Sequence, residues 1–174
     1  MDFSRRRCYA APMNPDLAWR LFAPPLPRAA GLAALETFRA ADQKRRDAIL
    51  WDVPAENKGE LLRRAVAAAA EAVAFFDSHG SPLAFAWTAA NGACPVAQVH
   101  FLTAGQIPDP LALVALYLRH TSFQGLLAAI PAPFRAAVNL AKAAGFAPVA
   151  SIPKSAWLHA KNRAADLRIL LWKK

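Results

Sequence analysis

Acidic side chains are scarce in this chain: 12 Asp and Glu stand against 21 Lys and Arg, a net charge of +9. That deficit predicts attraction to polyanions in general, and it does not choose among nucleic acid, an acidic surface and a phosphorylated small molecule. Cysteine is nearly absent too, with Cys8 and Cys94 far apart in sequence. They belong to no Cys-x-x-Cys pair or Cys/His cluster, which removes a zinc site, and two small buried thiols are expected, not a disulfide. No apolar run approaches the roughly 20 residues that span a bilayer. The start, Met1 to Pro12, lacks the apolar stretch of about 7–15 residues that a signal peptide needs, so a cytoplasmic protein is expected. No Ser/His/Asp or Cys/His arrangement follows from spacing. No recognition-helix motif or aromatic RNA-binding signature supports a dedicated nucleic-acid binder either.

Apolar residues are abundant, 56% of the chain, and much of that is alanine. Alanine favours helix and buries little, so it blunts periodicity. At 174 residues the chain suits one domain, 1–174, with a single sizeable core. Charge is uneven along it. Between residues 65 and 153, Arg119, Arg135 and Lys142 balance Glu71, Asp77 and Asp109, and the basic surplus lies outside. The pattern is an apolar centre with solvated basic ends.

Breakers and periodicity then give an order of elements. Cys8–Ala11 predicts a short strand stopped by Pro12, and Asn14 or Asp16 caps a short helix over Leu17–Phe22. Pro24-Pro25-Leu26-Pro27 predicts an extended connector. Ala33–Leu50 predicts one helix, with DQKRRD as its charged exposed face, and Glu60–Ala72 a second. From Val73 the period becomes that of strands: Val73–Asp77, Leu83–Ala89 and Val96–Ala104, with Asn91-Gly92 as a hairpin dipeptide. Leu83, Phe85 and Trp87 alternate there, which places Trp87 in the core. Asp109 suits the N-cap and Pro110 the first position of a helix that is apolar nearly all round. Lys154–Arg163 predicts a loop, with Trp157 as a surface aromatic, and Asp166–Trp172 a last strand. Leu170 and Trp172 beside an edge leave monomer and homodimer both open.

The most legible stretch is Gly125–Pro153. Gly125–Ile130 is a short apolar run bounded by Pro131 and Pro133, a buried strand. A helix begins near Phe134, with Ala137, Val138, Ala141 and Ala144 on one side and Arg135, Asn139 and Lys142 on the other. Gly145 stops it, Phe146 folds back, and Pro148 prevents restart. The run AAVNLAKAAGF followed by a strand resembles the last helix and following strand of the GNAT acetyltransferase superfamily. That family often shows Asn, then Ala three residues later, then Gly-Phe. Ala137, Gly145 and Phe146 match; Phe134 stands at the Asn position and Ala141 at that of a frequent tyrosine acid. The order of elements agrees over nearly the whole chain, and the segment around Val99-His100-Phe101 looks like small phage-encoded GNAT-like proteins.

The resemblance implies an α/β (α+β) fold, a mixed central sheet of about six to seven strands with helices on both faces. It also implies acetyl-CoA as acyl donor and an amine as acceptor. Leu102, Thr103 and Ala104 fall where the family places backbone donors for the acyl carbonyl. Gln106 matches the first position of the family's phosphate-holding loop, but Asp109 and Leu111 replace its glycines, and Pro108 and Pro110 remove N–H donors. His100 is the candidate base, Tyr117 a substitute acid, and Phe134 a cofactor neighbour. Three readings follow: an N-acetyltransferase, a GNAT-fold binding or structural module without catalysis, and a basic nucleic-acid binder.

Overall fold

The computed structural model describes residues 18–22, 28–90 and 94–174. Within them run β1 (Ala18–Phe22), α1 (Arg28–Ala40), α2 (Gln43–Ala48), α3 (Lys58–Ala67), β2 (Glu71–Phe76), β3 (Pro82–Ala90) and β4 (Val96–Thr103). There follow α4 (Pro110–His120), β5 (Gly125–Pro131), α5 (Arg135–Ala143), β6 (Ala147–Leu158) and β7 (Arg163–Lys173). The strands form one seven-stranded sheet in the order β1-β2-β3-β4-β5-β7-β6. Every pairing is antiparallel except β4 with β5.

Alternation in the central strands sorts side chains onto two faces. Val73, Phe75, Ala84, Ala86 and Ala97 pack with Leu113, Leu116 and Tyr117 of α4 and Ala141 of α5. Ala72, Ala74, Phe85, Trp87 and Leu102 pack with Ala30, Ala33 and Ala34 of α1 and Leu62 and Val66 of α3. Helices therefore cover both faces, and alanines on α1 let that helix lie close to the sheet. Phe75, Phe85 and Trp87 are completely buried; each contributes about 2–3 kcal/mol by leaving water.

Local signals worked where a cap or a glycine dictates the backbone. Asp109 caps α4, its side chain accepting from the Ala112 N–H at 2.9 Å. Gly145 ends α5 at φ +96°, which side chains rarely adopt. Gly145→Ala is therefore expected to cost about 1–2 kcal/mol, read as a lower urea midpoint with an unchanged slope.

Five expectations need correction. Leu17–Phe22 was expected to be helical, yet Ala18–Phe22 is a strand paired antiparallel to β2; a neighbouring strand overrides weak local propensity. The single helix over Ala33–Leu50 is two, because Asp42 starts a new one by accepting from the Arg45 N–H at 2.8 Å. The Glu60 helix ends at Ala67 and β2 begins at Glu71, a boundary that a run of alanines conceals. The Lys154–Arg163 loop is largely strand: β6 runs to Leu158, absorbs a register shift between Ile152 and Ala156, and turns into β7 through Asn162 at φ +44°. Cys94 is exposed, not buried. Cys8, the Cys8–Ala11 strand, the Pro24–Pro27 connector and Asn91-Gly92 lie outside the described residues.

Candidate functional site

The parallel pair at the middle of the sheet comes apart. β4 and β5 pair only at Val96 with Gly125, Ala97 with Leu126, and Gln98 with Leu127. Beyond those rungs β4 stays bonded to β3 as far as Thr103, and β5 to β7 as far as Pro131. Both strands thus continue while their facing edges diverge, leaving a V that opens toward the N-terminus of α4. Its closed end is tight: a Cβ on Gly125 would meet Val96 Cγ2 at 3.1 Å and the Trp172 carbonyl at 3.3 Å.

The facing edge of β4 can be read residue by residue. The Pro95 carbonyl accepts from Gln124 and Gly125, so odd-numbered residues turn their backbone groups toward β5. Beyond the last rung, Val99, Phe101 and Thr103 aim N–H and C=O groups into the V. Even-numbered residues face β3, and the Ala104 N–H donates to the Leu83 carbonyl at 2.8 Å. Of the expected donors Leu102, Thr103 and Ala104, only Thr103 faces the gap; Leu102 and Ala104 are turned away and buried.

His100 projects from the same strand on the α1 side. Its ring lies flat on the indole of Trp87, centroids 4.8 Å apart and planes 11° apart. Desolvation by this packing pushes its pKa from the ordinary 6.5 down to about 4, and the Asp52 charge offsets this only in part. The imidazole is consequently neutral at pH 7. The Trp87 Nε1 beneath it is buried and has no hydrogen-bond partner among the described residues.

The rim of the V is held by a residue outside the candidate set of the sequence. Arg45 of α2 donates from Nε to the Thr103 hydroxyl at 3.0 Å and pairs with Asp42. Within DQKRRD nothing distinguishes Arg45 from an ordinary solvated cation; only the fold brings it 58 residues forward in the chain. Gln106 is exposed, in the loop that leads to α4. Phe134 is half-buried at the start of α5, its N–H donating to the Pro131 carbonyl at 3.0 Å. It therefore stands on the β5 side of the opening. At the α4 terminus, the Asp109 carboxylate occupies an N–H that would otherwise face an anion, and Pro110 has none to give.

Tyr117 is engaged elsewhere. Its hydroxyl donates to Glu71 Oε1 at 3.2 Å, and burial, then the Glu71 charge, hold it protonated far above its ordinary value. Thr121 Oγ1 also donates to Glu71 Oε1, and the Ser122 N–H and hydroxyl donate to Oε2 at 3.2 and 3.1 Å. This buried carboxylate ties β2 to the C-terminal end of α4. Tyr117 sits seven residues into the helix, roughly 10 Å from its N-terminus along the axis. It is committed to that network and is remote from the mouth of the V. The sequence signal for Glu71 is slender: an acid opening the otherwise apolar strand EAVAFF.

Among the described residues, no cluster of His, Cys, Asp and Glu could hold a metal ion, and no helix is long and apolar enough to cross a membrane. No family model and no curated protein matches the sequence. Solved structures do match. An acetyltransferase of the GNAT family from Streptococcus pneumoniae aligns over 90% of this chain and 98% of its own, with TM-score 0.58 and 17% identity. Spermidine N-acetyltransferase from Vibrio cholerae, solved with CoA and spermine, aligns over 92% and 96%, with TM-score 0.67 and 12% identity. The chain has the GNAT fold.

Proposed function

We propose that this protein is an acyl-CoA-dependent N-acyltransferase that binds its acyl donor weakly. The observation that carries the reading is the parting of β4 from β5 after Gln98 and Leu127. A thioester needs a slot with backbone donors aimed at its carbonyl oxygen, and the Phe101 and Thr103 N–H groups supply that direction. Acyl-CoA, when bound, supplies an activated acyl group. His100, neutral at pH 7, takes the proton from the attacking amine. Arg45 fixes the Thr103 side chain and so the rim of the slot. The acceptor is a primary amine approaching from the α1 side, where His100 and Asp52 lie. Tyr117 has no role in this scheme, and water reprotonates the departing thiolate.

One observation favours a second reading, a binding module without turnover. The α4 N-terminus, which would hold a pyrophosphate, is capped by its own Asp109. A carboxylate there repels phosphate and uses a donor. The two readings separate on Asp109→Asn, which keeps the cap and removes the charge. Under the acyltransferase reading this variant tightens acetyl-CoA binding about tenfold by calorimetry, and acetyl-CoA with a panel of polyamines releases free thiol. No thiol release by either protein at millimolar acetyl-CoA leaves the binding module.

A further inference from the structure

A second cleft lies on the other side of α5. It has a volume of about 540 Å³ and is walled by α5, β6 and β7. Arg135, Asn139 and Lys142 form one stripe along α5 and face Arg168 of β7. Ser151 lies directly across from Arg168 in the β6–β7 register, and Leu170 floors the cleft. Its lining holds three cations and no acid. Among the described residues none of the three forms an ion pair. The nearest acid on the same face of β7, Asp166, is taken by the Lys154 N–H at 3.1 Å.

We infer that this cleft is a binding site for a phosphorylated small molecule with a flat apolar body, of the nucleoside diphosphate kind. Three positive charges lining one cleft, none of them ion-paired among the described residues, call for a ligand with more than one negative charge, and two guanidinium forks suit phosphate oxygens. The Asn139 amide and Ser151 hydroxyl add neutral hydrogen-bonding groups. Val138, Pro148, Val149 and Leu170 form an apolar wall for a ring. The volume falls within the range of about 300–1,000 Å³ typical of small-ligand clefts. A second copy of this chain is a poor occupant, because two-fold pairing would bring the same cations together. The inference concerns a different part of the sheet from the acyl slot: the cleft is walled by α5, β6 and β7, and the slot by β4 and β5.

Calorimetry with ADP, inorganic pyrophosphate and adenosine tests it, using the full chain and the variants Arg168→Gln, Lys142→Gln and Asp109→Asn. The first two positions are exposed, and circular dichroism confirms that each variant folds. ADP is expected to bind at about 100 μM in low salt, pyrophosphate about tenfold more weakly, and adenosine not measurably. Arg168→Gln and Lys142→Gln each weaken ADP about tenfold, in the parent and in the Asp109→Asn background alike. The proposal is overturned by no ADP binding at millimolar concentration, or by ADP affinity indifferent to both cleft variants. Tighter binding of a short oligothymidylate than of ADP would overturn the small-molecule assignment in favour of nucleic acid.

Discussion

Glu71→Ala is expected to lower stability by about 4 kcal/mol. The reason is the number of groups it leaves behind. Two hydroxyls, Tyr117 and Thr121, are buried and lose their acceptor together, and each stranded donor costs about 1–3 kcal/mol. The N–H and hydroxyl of exposed Ser122 add less because water reaches them. In a chain of this size that loss corresponds to a fall of roughly 10 °C in midpoint. Glu71→Gln should cost about half as much, because an amide accepts on one atom only while four donors converge. Tyr117→Phe removes one donor and leaves the carboxylate with three, so it should cost only about 1 kcal/mol. Thermal and urea denaturation of the three variants reads this ranking. A Glu71→Ala protein within 1 kcal/mol of the parent would show that the carboxylate does not secure α4 to β2.

The second large effect is at His100 and has two readouts. The folded state holds the imidazole neutral down to about pH 4, whereas the unfolded chain protonates it near the ordinary 6.5. Between those values the unfolded state binds more protons, so stability falls as pH falls through the window. The contribution is fully present above about 6.5 and lost by about 4, a change of about 3 kcal/mol. His100→Asn should remove this slope, which urea melts at pH 7, 5.5 and 4.5 would show. Glu60, held down to about 2 by hydrogen bonds from Arg63 and Arg64, gives its own acid dependence below ordinary carboxylate pKa values, and both proteins share it. The other readout is rate. A base whose conjugate acid lies so far below working pH is a modest one, so the loss in kcat should be near 10²-fold, the low end for general bases. Retained acyl transfer in the variant would remove His100 from the mechanism while leaving the stability effect intact.

Where the sequence was legible, one residue type enforced one local geometry. Asp109-Pro110 and Gly145 fixed helix ends, Val73 to Phe101 alternated, and Gly125–Ile130 was short, apolar and bounded by proline. The element order that resulted was enough to expect the two-faced sheet. It failed where tertiary pairing decided the outcome. Ala18–Phe22 is a strand because β2 lies beside it, and Lys154–Leu158 because β7 holds it across a bulge. The site was legible only in part for the same reason. His100 could be singled out as a neutral-range titratable group on a central strand, but its stacking on Trp87 depends on the β3–β4 register. Which of Leu102, Thr103 and Ala104 face the gap depends on a one-residue phase that pairing alone sets. Arg45 and Glu71 carry no motif at all, since their partners lie 58 and 46 to 51 residues away.

The account rests on the V between β4 and β5 being a slot for an acylated thiol. Amide-resolved NMR during an acetyl-CoA titration tests this most directly. The account predicts the largest shifts at the Phe101 and Thr103 amides, smaller ones at Leu102 and Ala104, which face β3, and saturation at or below the millimolar range. Shifts confined to the Arg135–Arg168 cleft, or none at millimolar acetyl-CoA, would contradict it.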